Sequence, residues 1–154
     1  MKVILILILM GAVYGLYTKY FQVGDFPLAG ISPGRYTTKA LPSYMIDGSV
    51  NLEKRIVKGK TNIIDFYSEY CPPCKRISPF LKKLDVRRGD IVVIKIDINR
   101  TGVEGIDWDS PVAKQFRLKS VPYFIVISPW GKLICEGKEA YNYVVRQLRV
   151  EGLA

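Results

Sequence analysis

The sequence predicts an α/β domain after residue 48, on three observations. An apolar strand-length run at 61–67, an amphipathic stretch at 74–86 and a β-branched run at 91–98 follow one another within 38 residues, the order of a βαβ unit with parallel strands and a right-handed crossover. A second pair of short strands, 123–128 and 132–136, is joined by Pro129-Trp130-Gly131, a hairpin signal. The last helical pattern, about 139–149, sets Val144, Val145 and Leu148 on one side.

The elements follow from local chemistry. Residues 51–58 can form a short helix through Leu52, Ile56 and Val57. In the stretch 74–86, Ile77, Phe80, Leu81 and Leu84 recur at i, i+3, i+4 and i+7 with lysines opposite, and Pro79 removes a backbone donor and should kink the helix. Arg88-Gly89-Asp90 turns the chain into the β-branched strand, and a polar loop with Gly102 and Gly105 spans 100–109. Ser110-Pro111 is a cap followed by proline in the first turn, opening a short helix to about Phe116.

The amino-terminal part reads differently. Residues 3–18 are uncharged and largely aliphatic, bounded by Lys2 and Lys19. As a helix these 16 residues would span about 24 Å against a hydrocarbon core of about 30 Å. A cleaved signal core and a short uncleaved anchor, with Tyr14, Tyr17 and Tyr20 at the interface, both fit better than a buried strand, because no polar alternation provides a solvent face. Either places the remainder outside the cytoplasmic membrane, periplasmic or otherwise extracytoplasmic, where disulfides persist. The organisation expected is thus a signal or anchor at 1–18, an irregular linker at 19–47 punctuated by glycine and proline, and the domain at 48–154. Phe21, Phe26, Tyr36 and Tyr44 are placed to pack on the domain.

Composition removes several classes of chemistry. The chain has no histidine, so Ser-His-Asp and Cys-His nucleophiles and imidazole metal sites are excluded. Three cysteines are too few for a disulfide-stapled miniprotein or a four-thiolate zinc site from one chain. The charge of +9, from 23 basic and 14 acidic residues, comes with no phosphate loop, zinc-finger spacing or aromatic RNA-binding motif. It therefore reads as a solvated basic surface attracted to anionic headgroups or acidic partners, with no nucleic-acid binding expected.

Chemistry concentrates at Cys71-Pro72-Pro73-Cys74, between a strand and a helix. Cysteines at i and i+3 on a first helical turn have α-carbons roughly 5 Å apart, within disulfide range. The unsatisfied N–H groups and positive dipole end favour thiolate at Cys71, a nucleophile, while Pro72 and Pro73 withhold donors and modulate that effect. Half of a zinc site has the same spacing, but neither a second such motif nor histidine exists, and dithiol/disulfide chemistry is favoured. A non-catalytic thiolate module for copper, or one that holds a partner, remains as the alternative.

Residues 65–75, Asp-Phe-Tyr-Ser-Glu-Tyr-Cys-Pro-Pro-Cys-Lys, with Pro79 in the helix and Val121-Pro122 before a strand, resemble the thioredoxin-like superfamily over about residues 50–150. The resemblance implies a central mixed β-sheet flanked by helices and a cis Val121–Pro122 bond beside the cysteines. It implies substrate contact through Tyr70, Pro72, Pro73, Val121 and Pro122 around the thiols, and no cofactor or metal. It further implies that Asp65, a costly buried carboxylate with a raised pKa, exchanges a proton with Cys74, and that Lys95 lies beside that acid. An Asp satisfied at a strand end and an ordinary snorkelling lysine are the plainer readings of these two residues. The implied activity is thiol–disulfide exchange on exported proteins, reducing by preference, with a dithiol oxidase or isomerase as alternative and a membrane or soluble electron donor for recycling.

Departures from the family pattern bear on specificity: Tyr67 and Tyr70 stand where tryptophans are common, Pro72 where glycine is, Tyr123 where a smaller residue is frequent, and the loop 100–109 looks inserted. Trp108 and Trp130 read as packing or turn residues. Cys135 reads as a small buried hydrophobe, with a regulatory or intermolecular disulfide as the alternative.

Overall fold

A computed structural model describes residues 43–45 and 48–154. The expected signal or anchor, and the aromatic residues of the linker before residue 43, lie outside the described residues. Among the described residues no helix is long and apolar enough to cross a membrane. The elements are β1 (Ser43–Met45), a 3-10 turn (Leu52–Lys54), β2 (Thr61–Tyr67), α1 (Pro72–Arg87), β3 (Ile91–Asp97), α2 (Pro111–Gln115), β4 (Tyr123–Ile127), β5 (Leu133–Glu136) and α3 (Gly137–Val150).

The five strands form one mixed sheet in the order β1-β3-β2-β4-β5, with β1, β3 and β2 mutually parallel and β4 and β5 antiparallel. Its central strands alternate between two cores. Ile64, Phe66, Ile94 and Ile96 face α2 and the 3-10 turn, meeting Val112, Ala113 and Leu52. Ile63, Val93, Phe124 and Val126 face α1 and α3, meeting Leu81, Leu84, Val144 and Leu148. Both faces of β2 are therefore covered, and its five central residues are all buried.

Two elements differ from the sequence reading. The stretch read as irregular contains β1, which pairs in register from Ser43 against Lys95 to Met45 against Asp97. Three residues have no period of their own, and their strand character comes from the β3 edge. Conversely, the helix expected at 51–58 shrinks to Leu52–Lys54, capped by the Asn51 side chain at 3.3 Å from the Lys54 nitrogen. The competing claim comes from buried Asn62, whose amide accepts from Val57 N–H at 2.7 Å and donates to the carbonyls of Val57 and Lys60 at 3.0 and 2.8 Å. Asn62 thereby holds residues 57–60 in a turn that a helix would destroy. Helix α1 runs through Pro79, which leaves the Lys75 carbonyl without its usual donor.

Replacing Asn62 with alanine removes three hydrogen bonds and leaves the Val57 N–H and the Lys60 carbonyl without their partner, while the Val57 carbonyl keeps Lys60 N–H at 3.4 Å. We expect it to lower the unfolding free energy by about 2–3 kcal/mol in urea titration, more than an exposed lysine-to-alanine change in the same turn.

Candidate active site at the amino end of helix α1

Cys71 and Cys74 form a disulfide with their α-carbons 5.3 Å apart. Cys71 is the N-cap of α1, so helical geometry begins at Pro72, two residues earlier than the sequence reading placed it. The cause is local. Proline has φ already set for a first helical turn and lacks an N–H that would be unsatisfied there anyway. With Pro72 and Pro73 in the first turn, the Cys74 N–H remains to cap the helix, and it donates to Cys71 Sγ at 3.2 Å. The sulfur occupies the place that a serine or aspartate oxygen takes in an ordinary N-cap.

The chain before the helix is tied into the same corner. Ser68 is buried; its carbonyl accepts from Cys71 N–H at 3.1 Å and its hydroxyl from Tyr70 N–H at 3.1 Å. Across the sheet, the Val121–Pro122 peptide is cis, and the Val121 carbonyl oxygen lies 3.5 Å from Cys71 Sγ. A backbone segment fifty residues away in sequence thus borders the sulfur. Both cysteines are buried, Val121 and Pro122 are half-buried, and Tyr70 is 49% exposed beside them. The structure brings Tyr70, Cys71, Pro72, Pro73, Cys74, Val121 and Pro122 together at this end of the sheet.

Asp65 sits deeper, in the middle of β2, with Lys95 beside it on β3 and Phe124 on β4. It is 1% exposed, and its Oδ1 has no hydrogen-bond partner within the protein. Burial pushes its pKa from 3.8 up to about 7, opposed by the positive charge of Lys95. The plainer expectation of a strand-end aspartate satisfied by backbone donors does not describe it. Lys95 does not form an ion pair with it; its ammonium donates to Ser78 Oγ on α1, one turn beyond Cys74, and stands 4.0 Å from the Tyr67 ring centroid. Lys95 therefore bridges the sheet to the helix that carries the cysteines.

Sequence reasoning missed Ser78 and Asp97. Asp97 ends β3 opposite Tyr67, and burial and the negative charge of Glu69 raise its pKa, while Asn99 N–H and Lys95 act against this. Only the tertiary pairing of β2 with β3 brings these acids near one another. The loop 100–109 is built on Asn99 and Asp107: Asn99 Nδ2 donates to the carbonyls of Val103 and Gly105, and Asp107 takes a two-pronged contact from Arg100 at 2.7 and 3.0 Å. Cys135 is free and half-buried, rather than fully buried, on β5, which pairs on one side only among the described residues.

The thioredoxin family model matches residues 45–144. Mitochondrial thioredoxin of Mus musculus is 26% identical over 121 residues, covering 73% of this chain and 68% of that protein. Thioredoxin of Mycolicibacterium smegmatis is 31% identical over 68 residues, 44% of this chain and 55% of that protein. For chloroplastic thioredoxin F2 of Arabidopsis thaliana the figures are 32% over 68 residues, 44% of this chain and 33% of the plant protein, so this chain spans about a third of that relative. Oxidized mitochondrial thioredoxin 3 of Saccharomyces cerevisiae is similar in structure, at 22% identity and TM-score 0.49 over 73% of this chain and 97% of that one.

The raised pKa of Asp65 has a definite sign for stability. Between pH 3.8 and about 7 the folded protein holds a proton that the unfolded chain has lost, so this group makes stability fall as pH rises through that window. Asp65→Asn removes the titration. Relative to wild type, the variant should gain on the order of 4 kcal/mol between pH 4 and pH 8, read by urea denaturation of the oxidised proteins. An equal stability difference at both pH values would mean that Asp65 titrates normally.

Proposed function

The chain belongs to the thioredoxin family, and from that premise we propose that it is a protein thiol–disulfide oxidoreductase that reduces disulfides of exported proteins outside the cytoplasmic membrane. The observation that carries the redox reading is the Cys71–Cys74 disulfide at the amino end of α1, with the Val121 carbonyl against the first sulfur. Curated relatives named thioredoxin support it. The lysine-bounded aliphatic run at 3–18 supports the compartment.

In the reduced protein the Cys74 N–H and the helix dipole favour thiolate at Cys71. That thiolate attacks one sulfur of a substrate disulfide, forming a mixed disulfide and releasing the other substrate sulfur as thiolate. Cys74 loses its proton and attacks Cys71 Sγ, closing the Cys71–Cys74 bond and releasing the second substrate thiolate. Two electrons pass from the protein dithiol to the substrate. Asp65, with a pKa near 7, is matched to taking the Cys74 proton at neutral pH, and the Lys95–Ser78 contact holds β3 against the cysteine helix while it does so. A thiol or dithiol donor on the same side of the membrane restores the reduced state. The exposed Tyr70 and half-buried Val121–Pro122 border the sulfurs and offer an apolar wall and a backbone edge to an extended substrate chain.

Cys71→Ser should lower reduction of insulin disulfides more than about 100-fold, whereas Cys74→Ser should accumulate a mixed disulfide through Cys71 on non-reducing gels. Equilibration with glutathione should give a potential nearer about −270 mV than the −120 mV or so of a strong oxidant. The latter value would assign the protein to dithiol oxidation instead.

A further inference from the structure

The end of the sheet opposite the disulfide carries a surface that thiol exchange does not use. Strands β2 and β3 begin there and β4 ends there, so the turns at 57–60, 88–90 and 128–132 meet the carboxyl end of α3. Hydrogen bonds tie them together: Gly59 N–H to the Pro129 carbonyl at 3.0 Å, Thr61 N–H to the Asp90 carbonyl at 2.8 Å, and Arg87 to the Glu151 carbonyl at 2.9 Å. On this braced base Trp130 is 83% exposed and Leu133 60% exposed, with Val57 exposed on the adjoining turn.

Nothing in the fold requires an indole here. Gly131 supplies the positive φ of the turn, and Ser128 satisfies the Lys132 N–H. Exposed Lys58 and Lys132 adjoin Val57 and Leu133 in these turns, and exposed Arg87 and Arg149 lie in the last turns of α1 and α3, at the same end of the sheet. Of the acids at this end, Asp90 and Glu151 share the one guanidinium of Arg88 and Asp85 accepts from Val93 N–H, and the lysines and arginines outnumber them, so this end is net positive. An aromatic and aliphatic tip flanked by lysines at a net positive end is the composition that enters the headgroup region of an anionic bilayer, with the apolar side chains reaching the acyl boundary.

We infer that the 128–132 turn, led by Trp130 and Lys132 with Val57, Lys58 and Leu133, docks the domain on the anionic surface of a lipid bilayer and points Cys71 and Cys74 away from it. The inference rests on the proposed extracytoplasmic, membrane-held state. A bilayer on which the Trp130 tip rests leaves the disulfide, at the other end of the sheet, open to soluble substrates.

The test uses the full chain with Trp108→Phe, which makes Trp130 the sole indole, mixed with vesicles of phosphatidylcholine alone or with added phosphatidylglycerol, each with and without brominated acyl chains. Docking predicts a blue shift and about twofold quenching of Trp130 by brominated lipid in the anionic vesicles. It also predicts loss of that quenching in high salt and in the Lys58→Glu/Lys132→Glu variant, with insulin reduction unchanged. Protein that floats with vesicles while Trp130 stays open to iodide and unquenched by lipid overturns the docking and leaves the anchored reading standing. Protein that fails to float overturns both. Equal quenching in neutral vesicles overturns the charge recognition. Protection from iodide without lipid quenching, together with a doubled mass in detergent, assigns the face to a second copy and overturns the proposal.

Discussion

One contact organises the chemistry of this molecule: the N–H of Cys74 directed at the sulfur of Cys71 across the first turn of α1. A helix start normally offers several free donors. Here two consecutive prolines remove the intervening ones, and the cysteine sulfur serves as cap for the single donor that remains. The same atom is therefore a structural cap, one half of a disulfide and, once reduced, the group whose negative charge the helix favours. The 16-residue length of α1 and its burial through Leu81 and Leu84 hold this turn against the sheet.

The sheet answers with an unusual buried charge. Asp65 occupies a position at which every neighbouring β2 residue is buried, and the nearest cation is committed to Ser78. A direct ion pair would stabilise the carboxylate and fix it in one protonation state. Holding Lys95 on the helix leaves Asp65 balanced between desolvation and a partial Coulombic pull, hence its titration near neutrality. The fold sustains this cost because the surrounding cores, with Ile63, Phe66, Phe124 and Val126 fully buried, supply most of the stabilising burial.

The two ends of the sheet have separate characters. The end where β2 and β3 finish gathers the sulfurs, the Val121 carbonyl, Tyr70 and the acids Asp65 and Asp97. The end where they begin gathers braced turns, the Trp130 tip and basic side chains. Parallel pairing of β2 with β3 imposes this division, because it places the strand starts together and the strand ends together. Trp130, read from sequence as a packing or turn residue, is a turn residue that stays 83% exposed.

Much of the fold and half of the site were legible in the chain itself. Apolar and β-branched runs marked β2, β3 and β4, a turn signal marked the β4–β5 hairpin, helical spacing marked α1 and α3, and the two cysteines with their prolines announced the redox pair, all because these signals reside in neighbouring residues. What lies beyond local reach was decided by packing. Strand β1 exists through the edge of β3, the helix expected at 51–58 gave way to the buried amide of Asn62, and the meeting of Val121 with Cys71 depends on β4 lying beside β2. The titration of Asp65 likewise could be anticipated in direction from an apolar run, but its balance point required the sheet that desolvates it and the serine that occupies Lys95. Sequence determined which groups can react; tertiary structure decided which charges face one another, because Coulomb and desolvation energies depend on distance and burial rather than on order along the chain.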